Sequence, residues 1–213
     1  MLFRSVLTAG LLAGLVDTSG AVTPVTMGAA QSALAKLTVK GRAPKTGYSR
    51  AQFGSGWKDT DGNGCDARND VLARDFSNET TSNGCIVMSG SWTDPYSGVA
   101  YTFDHRPSHD VDIDHVVALS DAWQKGAQKL SKARRVQFAN DPLNLAATIP
   151  SINRGKGDSD AASWLPPNKS YRCAYVARQI AVKYKYGLWV TSAERSAMAQ
   201  VLSSCPNQLT PAG

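Results

Sequence analysis

The chain has 213 residues, 42% of them hydrophobic and 19% charged, which suits one substantial core or two small domains and excludes disordered, coiled-coil and collagen-like proteins. Lys and Arg number 23 against 17 Asp and Glu, a net charge of +6 that admits polyanionic partners without requiring them.

In chain order, residues 1–21 read as a secretory signal peptide: Arg4, then an apolar stretch over 5–16, then the small residues Ser19, Gly20 and Ala21. The apolar stretch is shorter than the roughly 20 residues a membrane helix needs, and no later window is apolar enough to span. Residues 22–46 are small, polar and weakly patterned, with a short helical candidate over 29–37 and breakers at Gly41 and Pro44; they read as a lightly tethered N-terminal arm. Residues 59–64 are turn chemistry. Asp59, Asp61 and Asn63, with Asp70 at the twelfth position, resemble the first half of a calcium loop and could carry a structural Ca²⁺. Residues 70–75 fit strand or helix, whereas 86–92 and 99–103 flank a turn at 94–98 and predict a β-hairpin. Strand character returns at 111–114. Helical composition over 118–139 is interrupted by Gly126, residues 143–148 suit a short strand, and Pro150 opens a helix. Asn168 caps a further helix that runs to Gly187, and Thr191 with Glu194 forms a capping box for the last one.

Export governs the reading of Cys65, Cys85, Cys173 and Cys205, because an even number of cysteines entering an oxidising compartment predicts disulfides. Pairing nearest neighbours, Cys65 with Cys85 and Cys173 with Cys205, closes the shortest non-overlapping loops. The second bridge would clamp a C-terminal helical hairpin and contribute roughly 3 to 4 kcal/mol in the chain-entropy model. A zinc site is disfavoured, since no histidine stands beside these cysteines and none are closely spaced.

The chemistry concentrates in two places. In an extended strand Asp110, Asp112 and Asp114 project from one face, a row of like charge that calls for solvent or a hard divalent cation. His115 is out of phase with Asp114, so both reach one site only if the strand ends there. Further on, Asn144 interrupts an apolar run and needs a hydrogen-bond partner, while Asn153 offers a neutral oxygen suited to Mg²⁺ and Arg154 with Lys156 offers charge suited to phosphate. His105 and His109 read as surface residues, and Trp57, Trp92, Trp123, Trp164 and Trp189 as packing. Asn78 and Asn168 each open a glycosylation sequon.

Taken together, Asp114-His115-Val-Val-Ala-Leu, Pro142-Leu-Asn-Leu and Asn153-Arg-Gly-Lys-Gly-Asp resemble the HNH, or His-Me finger, nucleases, and more narrowly a secreted branch related to the C-terminal domain of GmrSD-type restriction enzymes. The likeness extends through Gly64-Cys-Asp-Ala-Arg-Asn-Asp, Asp121-Ala-Trp and Ser163-Trp-Leu-Pro-Pro-Asn. It implies a single α+β domain over 47–207 built on a ββα-metal core. By position it implies His115 as general base, Asn144 as the residue that orients it, Asp114 and Asn153 as ligands of Mg²⁺ (or Mn²⁺ or Ca²⁺), and Arg154, Lys156 and Arg68 as phosphate contacts. The expected activity is metal-dependent endonucleolytic cleavage of nucleic acid, DNA favoured, with low sequence specificity. The alternative is a secreted binder of nucleic acid or surfaces that keeps the fold without turnover. A helical insert separates His115 from Asn144 more widely than the family pattern does.

Overall fold

The computed structural model describes residues 29–105 and 111–212. The expected signal peptide, His109 and Asp110 lie outside them. Among the described residues the elements run α1 (Ala29–Lys36), α2 (Ala67–Asp75), β1 (Ser77–Ser82), β2 (Ile86–Thr93), β3 (Ala100–Asp104), β4 (Asp112–His115), α3 (Leu119–Gln124), α4 (Lys132–Asn140), β5 (Leu145–Thr148), α5 (Pro150–Lys156), α6 (Arg172–Tyr186) and α7 (Ser192–Ser203). This is one mixed α and β domain with two small antiparallel sheets, β1-β2-β3 and β4-β5.

Local chemistry accounts for most boundaries. Asp66 caps α2 by accepting from the Asn69 amide at 2.9 Å, and the reciprocal box of Thr191 and Glu194 starts α7. Gly126, at φ 123, separates α3 from a single 3₁₀ turn, and a Cβ there would meet the Trp189 ring at 3.1 Å. Gly187 ends α6 in the left-handed region at φ 64. Pro150 occupies the first turn of α5, where its missing N–H costs nothing.

The two disulfides form as paired, Cys65–Cys85 and Cys173–Cys205, with Cα separations of 5.3 and 6.4 Å. The second ties the start of α6 to the residue stretch just after α7.

The expected loose arm is a correction. Ala30 and Leu34 of α1 are buried in the cluster formed with α6 and α7, and Val39 bridges Val190. Arg42 pairs with Asp121 at 3.0 Å and Asp160 at 2.7 Å. Burial of α1's small apolar face holds the segment where composition alone showed only weak patterning.

The β4-β5 pair sits where three apolar clusters meet: Val116 and Ala146 belong to the first, Val117 to the second, and Ile113, Leu145 and Ala147 to the third. Its outer edge is closed by side chains. Arg74 and Arg178 both donate to the Leu145 carbonyl, at 2.7 and 2.6 Å, and Asp75 accepts from the Ala147 amide at 3.0 Å. An edge strand so covered cannot pair elsewhere, and the residues at its end are held in place.

Candidate active site

β4 runs antiparallel to β5 in the register Asp112 to Thr148, Ile113 to Ala147, Asp114 to Ala146 and His115 to Leu145, and α5 follows β5 at once. The strand ends at His115, which satisfies the geometric demand set by the out-of-phase Asp114 and His115. A cavity of about 270 Å³ opens at this end and is lined by Asp114, His115, Asn153 and Arg154 together with Tyr48, Arg50 and Asp158. Strand, connection and helix thus deliver an acid, an imidazole, an amide and a guanidinium to one space.

His115 is buried, and its ring is fixed on two sides. Nε2 lies 2.9 Å from the Ala139 carbonyl; a carbonyl only accepts, so Nε2 carries the proton and Nδ1 keeps its lone pair. The Trp57 indole stacks on the imidazole at 5.8 Å and 18°. Burial lowers the proton affinity of His115 from 6.5 to about 4, against the opposing pull of the Ala139 carbonyl and Asp114. The imidazole is therefore neutral at neutral pH.

Asp114 is oriented at both oxygens. Tyr96 donates its hydroxyl to Oδ2 at 2.7 Å, reaching in from the turn that joins β2 and β3, and the Lys156 ammonium approaches Oδ1 at 2.9 Å. The turn is itself held by the buried Asp94, which accepts from the Tyr96 amide and the Thr148 hydroxyl, each at 3.0 Å. Desolvation, reinforced by Asp114, drives the Tyr96 phenol well above its ordinary range, so it stays a donor.

Lys156 does not stand where a flanking phosphate would find it. It is 1% exposed and also donates to the His115 carbonyl at 2.8 Å. The reason is helical spacing: Asn153 and Lys156, three apart on α5, share the face that meets β4, and Asn153 Nδ2 donates to Asp112 at 2.9 Å. Arg154, between them, is exposed and keeps to the cavity. Arg68 is likewise turned from that role, donating to the Val111 carbonyl at 3.1 Å; burial lowers its proton affinity while Asp112 and Asp66 oppose the shift.

Asn144 is wholly buried. Its Oδ1 accepts from the Val117 amide at 2.8 Å, and its Nδ2 donates to the carbonyls of Val117 and Phe138, each at 3.3 Å. It thus ties the chain just after His115 to the end of α4, one residue before the carbonyl that fixes the imidazole. It holds the backbone on both sides of the His115 ring and touches no solvent.

The oxygen donors present suit a hard divalent ion. Asn153 uses its nitrogen toward Asp112, which leaves Oδ1 available, and each Asp114 oxygen accepts one donor and retains a lone pair. Among the described residues no three or more His, Cys, Asp or Glu side chains cluster to hold a metal. An ion here would draw its remaining ligands from water and phosphate, as Mg²⁺ commonly does. In the other candidate loop the groups serve the turn: Asp59 accepts from the Gly62 and Gly64 amides at 2.7 and 2.9 Å, which lowers its proton affinity, and Asn63 Nδ2 donates to Asp61 and Asp70 at 3.3 and 3.0 Å.

Arg50, Trp57 and Tyr96 were not singled out from the sequence as site residues. An aspartate-led turn with an aromatic at its centre is the signal that could have pointed to Tyr96.

His115, Asp114 and Asn153 thus gather at the end of a two-stranded ladder followed by a helix. The chain is a member of the GmrSD restriction endonuclease C-terminal domain family, whose profile matches residues 66–201. It is 44% identical over 178 residues to a protein of Arthroderma benhamiae described as an uncharacterized secreted protein, an alignment covering 83% of this chain and 84% of the relative. No solved structure matches it. This chain is a secreted, disulfide-bonded protein, and no helix among the described residues is long and apolar enough to cross a membrane.

Proposed function

We propose that this protein is a secreted metal-dependent endonuclease of the HNH type, built on a ββα core of β4, β5 and α5. One observation carries the reading: a buried, neutral histidine with a fixed tautomer shares a cavity with an aspartate and an asparagine suited to a hard cation. A domain that only bound nucleic acid would have no need of a base beside such a pair.

His115 Nδ1 takes the proton from the attacking water, and the Ala139 carbonyl stabilises the imidazolium that results. Asp114 and Asn153 would hold Mg²⁺, which when bound supplies positive charge at the scissile phosphate and the departing O3′. Tyr96 and Lys156 keep the Asp114 carboxylate aimed. Lys156 also joins α5 to the His115 backbone, so the two halves of the site share one anchor. Asn144 holds the chain after His115 in the conformation that seats the ring. Arg154 draws in a flanking phosphate, and contacts of that kind weaken as salt rises. Among the described residues no separate element for reading base edges accompanies the site, so sequence preference should be low, with DNA the favoured substrate.

The test is cleavage of plasmid DNA and total RNA by the oxidised protein with Mg²⁺ or with excess chelator, followed by end-group analysis. Metal-dependent products bearing 5′-phosphate and 3′-hydroxyl ends are expected. Absence of cleavage of either polymer with Mg²⁺, Mn²⁺ or Ca²⁺ would refute the proposal in favour of a non-catalytic binder.

A further inference from the structure

His115 lines two cavities. Besides the one that holds Asp114 and Asn153, it lines a smaller cavity of about 140 Å³ with Phe53, Gly54, Trp57 and Ala139 among others. Arg50 lines both. Arg50 is exposed and makes no hydrogen bond or ion pair with the described residues.

The backbone beneath Arg50 is held on both sides. Upstream, Arg42 is paired with Asp121 and Asp160, the Trp189 indole donates to the Gly41 carbonyl at 3.0 Å, and Lys45 pairs with Asp158 at 3.1 Å. Downstream, Arg135 donates to the backbone and side-chain oxygens of Gln52 at 2.9 and 3.1 Å. Phe53 packs against Phe138 at 5.9 Å, and the Lys58 amide donates to Asn140 at 2.9 Å. A charged side chain without a protein partner, carried on so well anchored a segment, is arranged for a ligand from outside. Residues 47–58 lie outside the stretch matched by the family profile, 66–201.

We infer that Arg50 binds a phosphate of the nucleic-acid backbone as the strand crosses from one cavity to the other past His115. The inference rests on the endonuclease reading and adds to it a second phosphate contact, since Arg50 lines the same cavity as Arg154 of α5. Arginine suits the task because its planar fork pairs with two phosphate oxygens at once.

The experiment compares wild type with Arg50→Ala, Arg50→Lys and Lys36→Ala. The last removes an equal charge from an exposed site on α1 and should leave activity unchanged. Binding of a fluorescent DNA oligonucleotide is measured by anisotropy across a salt series in chelator, and cleavage is measured in Mg²⁺. Arg50→Ala should lower kcat/KM about 10- to 100-fold and reduce the slope of log affinity against log salt by about 1. Arg50→Lys should recover part of both, and all variants should melt with the wild type. If Arg50→Ala matches Lys36→Ala in binding and cleavage while wild type cleaves, Arg50 has no such role and the nuclease reading stands. If wild type does not cleave, the nuclease reading fails and binding decides: a weakened, flatter salt series for Arg50→Ala keeps the phosphate contact, and no difference removes it.

Discussion

Replacing Asn144 by alanine tests whether the site is held from beneath. The side chain makes three buried hydrogen bonds, one accepted from the Val117 amide and two donated to the carbonyls of Val117 and Phe138. Truncation leaves all three backbone groups without a partner in a region closed to solvent. At about 1 kcal/mol for each such bond, with additional loss from the cavity, the expected destabilisation is about 3 to 4 kcal/mol. For a domain of this size that corresponds to a fall in Tm of roughly 6 to 16 °C. Urea unfolding of the oxidised protein gives the free energy, and cleavage measured well below the variant's Tm gives the functional effect. Activity should fall more than substrate affinity, because Asn144 acts through the seating of His115. A loss under about 1 kcal/mol with unchanged turnover would refute the claim that this amide organises the segment after His115.

Protonation of His115 should be visible in stability. Its proton affinity falls from 6.5 in the unfolded chain to about 4 in the fold through burial, so the unfolded state takes up the proton first as pH drops. This contribution is fully present above pH 6.5 and fades as pH approaches 4, roughly 3 kcal/mol across the window. Denaturant midpoints of chelator-treated protein should show the slope, and His115→Asn should remove that part of it. Opening the Cys173–Cys205 bridge by double substitution to serine should cost about 3 to 4 kcal/mol in the chain-entropy model, read by calorimetry. Lys183→Met should cost about 3 to 5 kcal/mol in urea unfolding, because buried Asp121 and Glu194, now 3.2 and 2.9 Å from its ammonium, lose a counter-charge; a neutral result would mean that Lys125 alone compensates both.

The parts of the fold that sequence conveyed are those written in local chemistry. The capping box of α7, the Gly187 stop, the β2-β3 hairpin and the pairing of four cysteines each depend on residues close together in the chain. That Asp114, His115 and Asn153 meet at one cavity was also legible, because Asp114 and His115 are adjacent and Asn153 sits just inside a helix opened by proline. What escaped depends on distance. Strand β1 is polar throughout and offers no alternation to read. Lys156 looked like one member of a basic run until its partner, Asp114, appeared across the fold. The same holds for the buried ion network in which Lys125 meets Asp121, Asp160 and Glu194 at 2.6 to 2.7 Å: each charge is unremarkable in sequence, and only packing neutralises it. Arg42 belongs to this network from a segment whose weak patterning had suggested a loose arm.

The central claim is that His115 activates water for phosphodiester hydrolysis. Its most direct test is single-turnover cleavage of a labelled DNA duplex in Mg²⁺ by wild type and His115→Ala, with folding and oligonucleotide binding of both verified beforehand. The expected result is cleavage by wild type and a loss of at least 100-fold in the variant, consistent with the usual contribution of a general base, with binding retained. Equal rates for the two proteins would contradict the account.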